Sequence, residues 1–475
     1  MVNPDKTMNS ATEMSATENL STEKKTASKA IVIGGSIAGL ITARVLADHF
    51  DQVYLLEKDS YPTTAPDYRK GVPQARHQHI LLVKGREIFE TLFPGFDQEL
   101  ASMGGKTADH TRDMMLFSTA GLLPRFESGI ELRINSRINI DWVLVKRVRS
   151  IPNITVLEQT AVSDLIKQNN TIGGVMLDDG RQLDADLIID AMGRGSRTPK
   201  WLKEMGYAAA NEEVIDAKLG YASRIFKKPE NDPADYQAVA MTPIPTHNPR
   251  GAGLWEIEND HWLLTLIGTA GNHPPTDEAG YLAFAKALAD PVVFNTISRA
   301  KPVSDIYAFR GTANRWKHYE RLNSFPDGYL VIGDAFCAFS PFYGQGMTSA
   351  ALSATELDNV LRKYKSSLST NKEKLRRDFF RKAGKRFASP WTLATGEDLR
   401  WPDTSGGTTG FAIKASHKFM DALMPLSTSS KLLVTHFLKI TNMKASPLLL
   451  FDPRILFQLF VYWIKRAVFR HETKS

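Results

Sequence analysis

A chain of 475 residues with 43% apolar and 23% charged residues has the composition of a soluble globular protein, long enough for two or three domains or one large discontinuous enzyme. Its single cysteine, Cys337, excludes a disulfide framework and a cysteine-rich metal site, and fits a reducing cytoplasmic setting. The net charge of +7 is concentrated in residues 361–386, where eleven Lys or Arg stand against two acids and leave the rest of the chain at about −2. Such a basic helix is either a solvated face or a contact for an anionic membrane or an acidic partner protein. No nucleic-acid motif accompanies the charge, so nucleic acid is not an expected partner.

The first 28 residues are rich in Ser, Thr, Glu, Lys and Met without an apolar core, and read as a disordered tail rather than a signal peptide. Ala30 to Ile33 is then a short apolar run of the kind that forms a parallel strand buried on both faces. Gly34, Gly35, Ser36 and Gly39 follow in a G-x-G-x-x-G turn with Ser36 at the second glycine position, and Ala38 lies within it. Small residues there allow a sharp turn and the approach of a pyrophosphate to the N-terminus of the next helix. Gly39 and Ala43, four apart, let that helix lie close to the sheet. Val53 to Leu56 form a second strand, ending at Glu57 and Lys58. A carboxylate at Glu57 is placed to accept from the ribose of an adenine nucleotide. The strand, turn, helix, strand and terminal acid together predict dinucleotide binding.

Arg69, Arg76, His77 and His79 lie just upstream of a helix expected over Ile80–Leu92. The two histidines lack a third ligand cluster, so no metal is expected; the arginines are candidates for electrostatic contact with a cofactor. Asp113–Arg125 and Gly129–Ile134 read as two strands joined near Glu127, and Ser136 caps a helix to Val148 with Arg137 in its first turn. Strands follow at 153–158 and 161–166, then a hairpin through Asp178-Asp179-Gly180, then the buried-strand run Ala185–Ala191. From Tyr207 to Arg321 alternating apolar strands with Pro-rich turns and one helix, Ala279–Leu288, predict a mostly antiparallel sheet that could wall an apolar ligand.

The nucleotide-domain pattern returns at Gly328–Ile332, followed by Gly333-Asp334, by Pro341, and by Gly344-Gln345-Gly346-Met347 opening a helix to about Leu361. The aspartate can accept from a sugar hydroxyl, and the helix start points donors at carbonyl or phosphate oxygens. Phe339, Phe342 and Tyr343 flank this turn and are expected to line the site. The last stretch, 387–475, is helical in character. Its most apolar window, Ile455–Ile464, is too short to span a bilayer and is followed by Lys465, Arg466 and Arg470. It fits either a docked helix or a shallow membrane contact, which would make the protein membrane-peripheral.

These segments, covering nearly the whole chain from Lys29, resemble the FAD-dependent monooxygenases of the aromatic-hydroxylase and squalene-epoxidase type. Within that superfamily the strings GVPQARH, GRGSRTPKWL and TGEDLRWP look most like the bacterial flavin epoxidases of polyether biosynthesis. The resemblance implies an α/β (α+β) fold with a Rossmann-like FAD-binding domain of the glutathione-reductase type, formed by 29–111, 130–206 and 322–386. It places an inserted β-sheet substrate domain at 112–129 and 207–321, and a C-terminal helical region at 387–475. It implies FAD contacts at the glycine turn and Glu57, at Gly333, Asp334, Pro341, Gly344, Gly346 and Met347, at Arg137, and at the backbone of Val162. The activity implied is transfer of one oxygen from a flavin hydroperoxide to a large hydrophobic substrate in secondary metabolism, by epoxidation or hydroxylation.

Two departures bear on this. Family members often have Ala-Asp-Gly where this chain has Ala191-Met192-Gly193, which opens the route of electrons from NAD(P)H to a separate reductase as well as to direct transfer. Cys337 stands where the family often has His, and reads as a core filler. The tryptophan-rich motif of flavin halogenases is not seen. No catalytic acid or base is assigned. The alternatives are a reductase of isoprenoid double bonds resembling the geranylgeranyl reductases, and a non-enzymatic carrier of a prenyl or lipid group.

Overall fold

The computed structural model describes residues 28–367 and 370–472, with only the backbone over 465–472. The expected N-terminal tail, apart from Ser28, lies outside the described residues, as do the side chains of Lys465, Arg466 and Arg470.

The chain begins with β1 (Lys29–Ile33), α1 (Ile37–Leu46) and β2 (Gln52–Leu56). Ala30, Ile31, Val32, Val53 and Leu55 have no exposed surface, as expected of strands covered on both faces. α2 (Val83–Leu92), α3 (Phe96–Ser102), β3 (Lys106–Asp109), β4 (Met114–Ser118), β5 (Gly121–Leu122) and β6 (Glu131–Ile134) follow. The helix expected from Ile80 begins at Val83, because Leu82, with ψ 154°, is outside the helical range. The two strands expected on either side of Glu127 do not pair. β4 turns back on the short β5, whereas β6 pairs with β3, because each finds its buried partner in a different sheet.

Next come α4 (Arg137–Arg149), β7 (Ile154–Leu157), β8 (Val162–Gln168), β9 (Thr171–Leu177), β10 (Gln182–Asp184), β11 (Leu187–Asp190) and α5 (Thr198–Glu204). Ser136 Oγ accepts from Asn139 N at the start of α4, as its position predicted. The inserted segment holds β12 (Glu212–Ile215), β13 (Gly220–Lys227), β14 (Ala238–Met241), β15 (Arg250–Ile257), β16 (His261–Gly268), α6 (Glu278–Lys286), α7 (Val292–Ile297), β17 (Lys301–Pro302), β18 (Tyr307–Phe309) and β19 (Asn314–Lys317). A second helix, α7, therefore accompanies the one foreseen. β20 (Tyr329–Val331) and β21 (Cys337–Ala338) lead into α8 (Gly346–Tyr364), α9 (Lys372–Asp398), α10 (Phe411–Ser427), α11 (Lys431–Thr441) and α12 (Pro453–Glu472).

β20, β11, β1, β2 and β7 form one parallel sheet in that order. β1 and β20 are thus separated by one strand, although nearly three hundred residues of chain lie between them. The larger sheet runs β17-β13-β16-β15-β14-β4-β5, with β18 also on β13. It is antiparallel except where β14 pairs parallel with β4, so it is the mostly antiparallel sheet expected, with one parallel junction. The basic stretch 361–386 spans the end of α8 and most of α9 rather than one helix. Much of it is neutralised locally: Arg362 pairs with Asp358, Lys363 and Arg381 with Asp378, Arg376 with Asp327, Arg377 with Glu373 and Arg386 with Glu356. No helix among the described residues is long and apolar enough to cross a membrane.

Candidate functional site

The C-terminal ends of β1 and β20 bring the two glycine segments together. Gly333 follows β20 with φ +62°, and a Cβ there would stand 2.8 Å from the Cβ of Ala38 on α1. Any side chain at 333 would push the two segments apart. At Gly39 the constraint is closeness alone: a Cβ would lie 1.7 Å from the Gly34 carbonyl oxygen. Neither α1 nor α8 has a side chain accepting from its first-turn amides, nor an acid in its first turn. Both helix starts therefore keep donors and positive dipole ends available to an anionic or carbonyl-bearing ligand.

The nucleotide end is densely wired. Glu57 is buried; one of its oxygens accepts from Gly35 N at 2.8 Å and the other from Asp59 N at 3.0 Å. Arg69 Nη1 stands 3.1 Å from the same carboxylate, and Arg69 Nη2 donates to Gly35 O at 3.0 Å. Tyr61 also donates to Gly35 O, at 2.6 Å, and burial raises its phenol well above the usual range, so it stays a donor. The close approach that Gly35 permits is thus made in part by Tyr61. Arg137 donates from Nη2 to Ser36 Oγ at 3.0 Å and from Nε to Asp141 at 2.8 Å. This is where a serine at the second glycine position finds a use.

Other predicted contacts fall differently. Lys58 is exposed. The Val162 carbonyl accepts from Arg197 at 3.1 Å, so that backbone group is already engaged. Arg76 lies over the rings of Tyr68 and Tyr307, 4.3 and 4.1 Å from their centroids, on the wall of an open cleft with Ile225 and Ser304 that contains no residue of either glycine segment. His77 bonds Ser223 Oγ at 2.8 Å, and burial lowers it to about 4, so it is neutral at pH 7. Burial likewise lowers His79 to about 3. Among the described residues no group of three or more His, Cys, Asp or Glu could hold a metal ion.

The second glycine segment is built from β20, the turn Pro341–Tyr343 and the start of α8. Asp334 is ringed by protein, and that burial raises its carboxyl above the ordinary value while Arg194 pulls it back. Its side chain is nevertheless 41% exposed, so it stands on the wall of a cleft rather than within packing. Gln345 is buried with its Oε1 unpaired, as are the hydroxyls of Ser340, Thr348 and Ser349 nearby. Buried polar atoms left without partners mark a place where a polar ligand or water completes the bonding. Gly346 is within 3.8 Å of Asp334 Oδ1, measured from an added Cβ, and Met347 is buried beside it. Pro341 opens the turn and Gly344 closes it at φ +64°.

Of the three expected lining residues, Phe342 packs with Leu219, Tyr221, Ile267 and Phe309 of the inserted sheet. Tyr343 meets Phe342 edge-on at 5.0 Å. Phe339 is instead sealed in the main core, 6.1 Å from Phe387, because the chain reverses between residues 339 and 342.

Three contributors escaped the sequence reading. Arg194 donates to the carbonyls of Ala313 and Phe339 at 2.7 and 2.6 Å and lies 4.0 Å from Asp334; it belongs to the string GRGSRTPKWL, which carried the signal. Asp398 accepts from Tyr343 OH at 3.0 Å and from Asn314 Nδ2 at 2.6 Å, and Asn314 Oδ1 accepts from Ser340 N at 2.7 Å. Burial pushes Asp398 up to about 7 against those hydrogen bonds. It lies in TGEDLRWP, so the string was visible though the role was not. Tyr61 had no signal. Asp190, at the end of β11, is fully buried and accepts from Met192 N and the hydroxyls of Ser196 and Thr198. Cys337 is buried and its thiol is raised by burial, in keeping with a core filler.

FAD fits these residues: two free helix starts, a buried strand-end carboxylate, unpaired polar atoms and an apolar turn are brought together at the ends of β1 and β20. No protein-family model matches the chain. Among solved structures, the flavin-dependent brominase Bmp2 superposes with a TM-score of 0.63 at 13% identity, covering 94% of this chain and 99% of the brominase. PqsL of Pseudomonas aeruginosa, described as "a probable FAD-dependent monooxygenase", gives 0.58 at 16% identity over 78% and 97% of the two chains. The fold is therefore that of the FAD-binding monooxygenases and halogenases. Protein Rv3254 of Mycobacterium tuberculosis is 33% identical over 356 residues, covering 71% of this chain and 74% of that protein. With two thirds of both chains aligned at that identity, the chain belongs to the family of Protein Rv3254.

Proposed function

We propose that this protein is an FAD-dependent monooxygenase that transfers one oxygen atom to a large apolar substrate, most simply by epoxidising an alkene or polyene of secondary metabolism. The observation that carries the reading is the meeting of Gly333 with Ala38, which brings the two glycine segments side by side. The bound cofactor would supply the redox chemistry with dioxygen. The chain's own residues bind, orient and exclude water. The α1 start with Arg137, Arg69 and Glu57 would hold the nucleotide half; Asp334, Gln345 and the α8 start would hold the ribityl and ring half. The apolar cluster of Phe342, Leu219, Tyr221 and Ile267 supports a dry wall against which an alkene can be aligned. Epoxidation needs little acid–base help from protein groups.

Electrons would come from NAD(P)H, directly or through a separate reductase. The second route is supported by the sealing of Asp190 beneath Ser196 and Thr198, which leaves no acid at the end of β11 to organise a nicotinamide. The polyether-epoxidase likeness supplies the substrate class to try first. Incubation of the reduced protein with oxygen and linear polyenes tests the reading: oxygen uptake and a product heavier by one oxygen are expected. A product heavier by two hydrogens, formed without oxygen uptake, would assign the protein to the isoprenoid reductases instead.

A further inference from the structure

α12 carries apolar residues on opposite faces. At 3.6 residues per turn, Ile455 and Leu459 fall on the side packed against Leu423, Leu426, Leu433 and Leu450. Gln458, on that side too, accepts from Ser430 Oγ at 2.6 Å. Leu456, Phe457, Phe460, Trp463 and Ile464 take the opposite side and are 40–66% exposed. The turn before α12 adds exposed Leu448 and Phe451, and Phe451 stacks on Phe419 of α10 at 4.8 Å. α10 itself opens on Phe411, 89% exposed. A docked helix needs only one apolar stripe; here a second one, aromatic-rich, faces outward.

Charge indicates what covers it. Residues 411–475 hold ten Lys or Arg and three acids. Asp421 is paired with Arg400, and Asp452 with Arg454 and His436. Lys414, Lys418 and Lys439 are exposed and have no acidic partner among the described residues. We infer that α12, with the start of α10 and the turn at 447–451, lies in the interface of an anionic lipid bilayer, with the aromatic stripe in the headgroup region and the lysines on the lipid charge. No described helix is apolar enough to cross, so the helix lies on the membrane rather than through it. A second copy of the chain would set two basic surfaces against each other. This inference does not rest on the flavin reading.

The test is flotation of the full-length protein with vesicles of phosphatidylcholine alone and of phosphatidylcholine mixed with phosphatidylglycerol. Binding at least about tenfold tighter to the mixed vesicles, and weakening with salt, is expected. The double variant Phe460→Asp with Trp463→Asp should lose binding at least about tenfold with an unchanged melting temperature, since both side chains are exposed. Lys414→Glu with Lys418→Glu should abolish the preference for anionic vesicles. Three results would overturn the inference: no binding to either vesicle, undiminished binding by the aromatic double variant, or a stable dimer or complex with an acidic protein that the double variant dissolves.

Discussion

The two halves of the candidate site are made by different strategies. At the nucleotide end the charged groups are ion-paired, Glu57 with Arg69 and Arg137 with Asp141, and of these only Arg69 keeps buried nitrogens, Nε and Nη1, without a hydrogen bond. At the ring end polar groups are enclosed and left open, with Asp334 accepting no hydrogen bond among the described residues and Gln345 Oε1 unpaired. The first end is held largely by the protein itself, and a diphosphate bound there would meet fixed geometry. The second has unmet bonding capacity that a ligand can satisfy. Stability should therefore reside mainly at one end and cofactor dependence at the other.

Arg137→Ala should break this contrast most visibly. It strands Asp141 in a largely buried pair, a change that costs about 3–5 kcal/mol, read by urea unfolding of the flavin-free protein. Asp398 gives the next effect. Its folded-state pKa of about 7 lies above the ordinary carboxyl value, so the folded protein keeps a proton that the unfolded chain releases first. Stability from this group is full below about pH 4 and declines as pH rises to about 7. Asp398→Asn should remove that decline, worth on the order of 2–4 kcal/mol, in unfolding curves across the range; an unchanged slope would show that Asp398 is already ionised.

Asp334→Ala should leave the stability of the flavin-free protein nearly unchanged, because the carboxyl accepts no hydrogen bond among the described residues, is 41% exposed and has only a 4.0 Å contact with Arg194. FAD affinity should nevertheless fall by about 10–100-fold, as for one lost hydrogen bond to a charged group, measured by fluorescence titration. Lys58→Ala is expected to change neither stability nor affinity beyond about 0.5 kcal/mol, since Lys58 is exposed.

What the sequence disclosed follows the same division. The nucleotide end is contiguous: strand, turn, helix and Glu57 lie within one run of residues, so buried-strand hydrophobicity and glycine spacing reveal it directly. The ring end was visible only as Gly333-Asp334 and the α8 start. The partners that complete it, Arg194, Asn314 and Asp398, come from three other segments, and Asp398 is 55 residues from Tyr343. Local periodicity carries no record of such pairings, nor of the parallel match of β4 with β14, which depends on burial across the insertion. Phe339 shows the converse. Its position beside the turn was legible, but the chain reversal that buries it was not.

The most direct test of the candidate site is titration of the flavin-free protein with FAD, following fluorescence and the absorbance of the complex. Saturable binding of one FAD per chain, weakened by Arg137→Ala at one end and by Asp334→Ala at the other, is the result this account predicts. No binding, or binding indifferent to both substitutions, would contradict it.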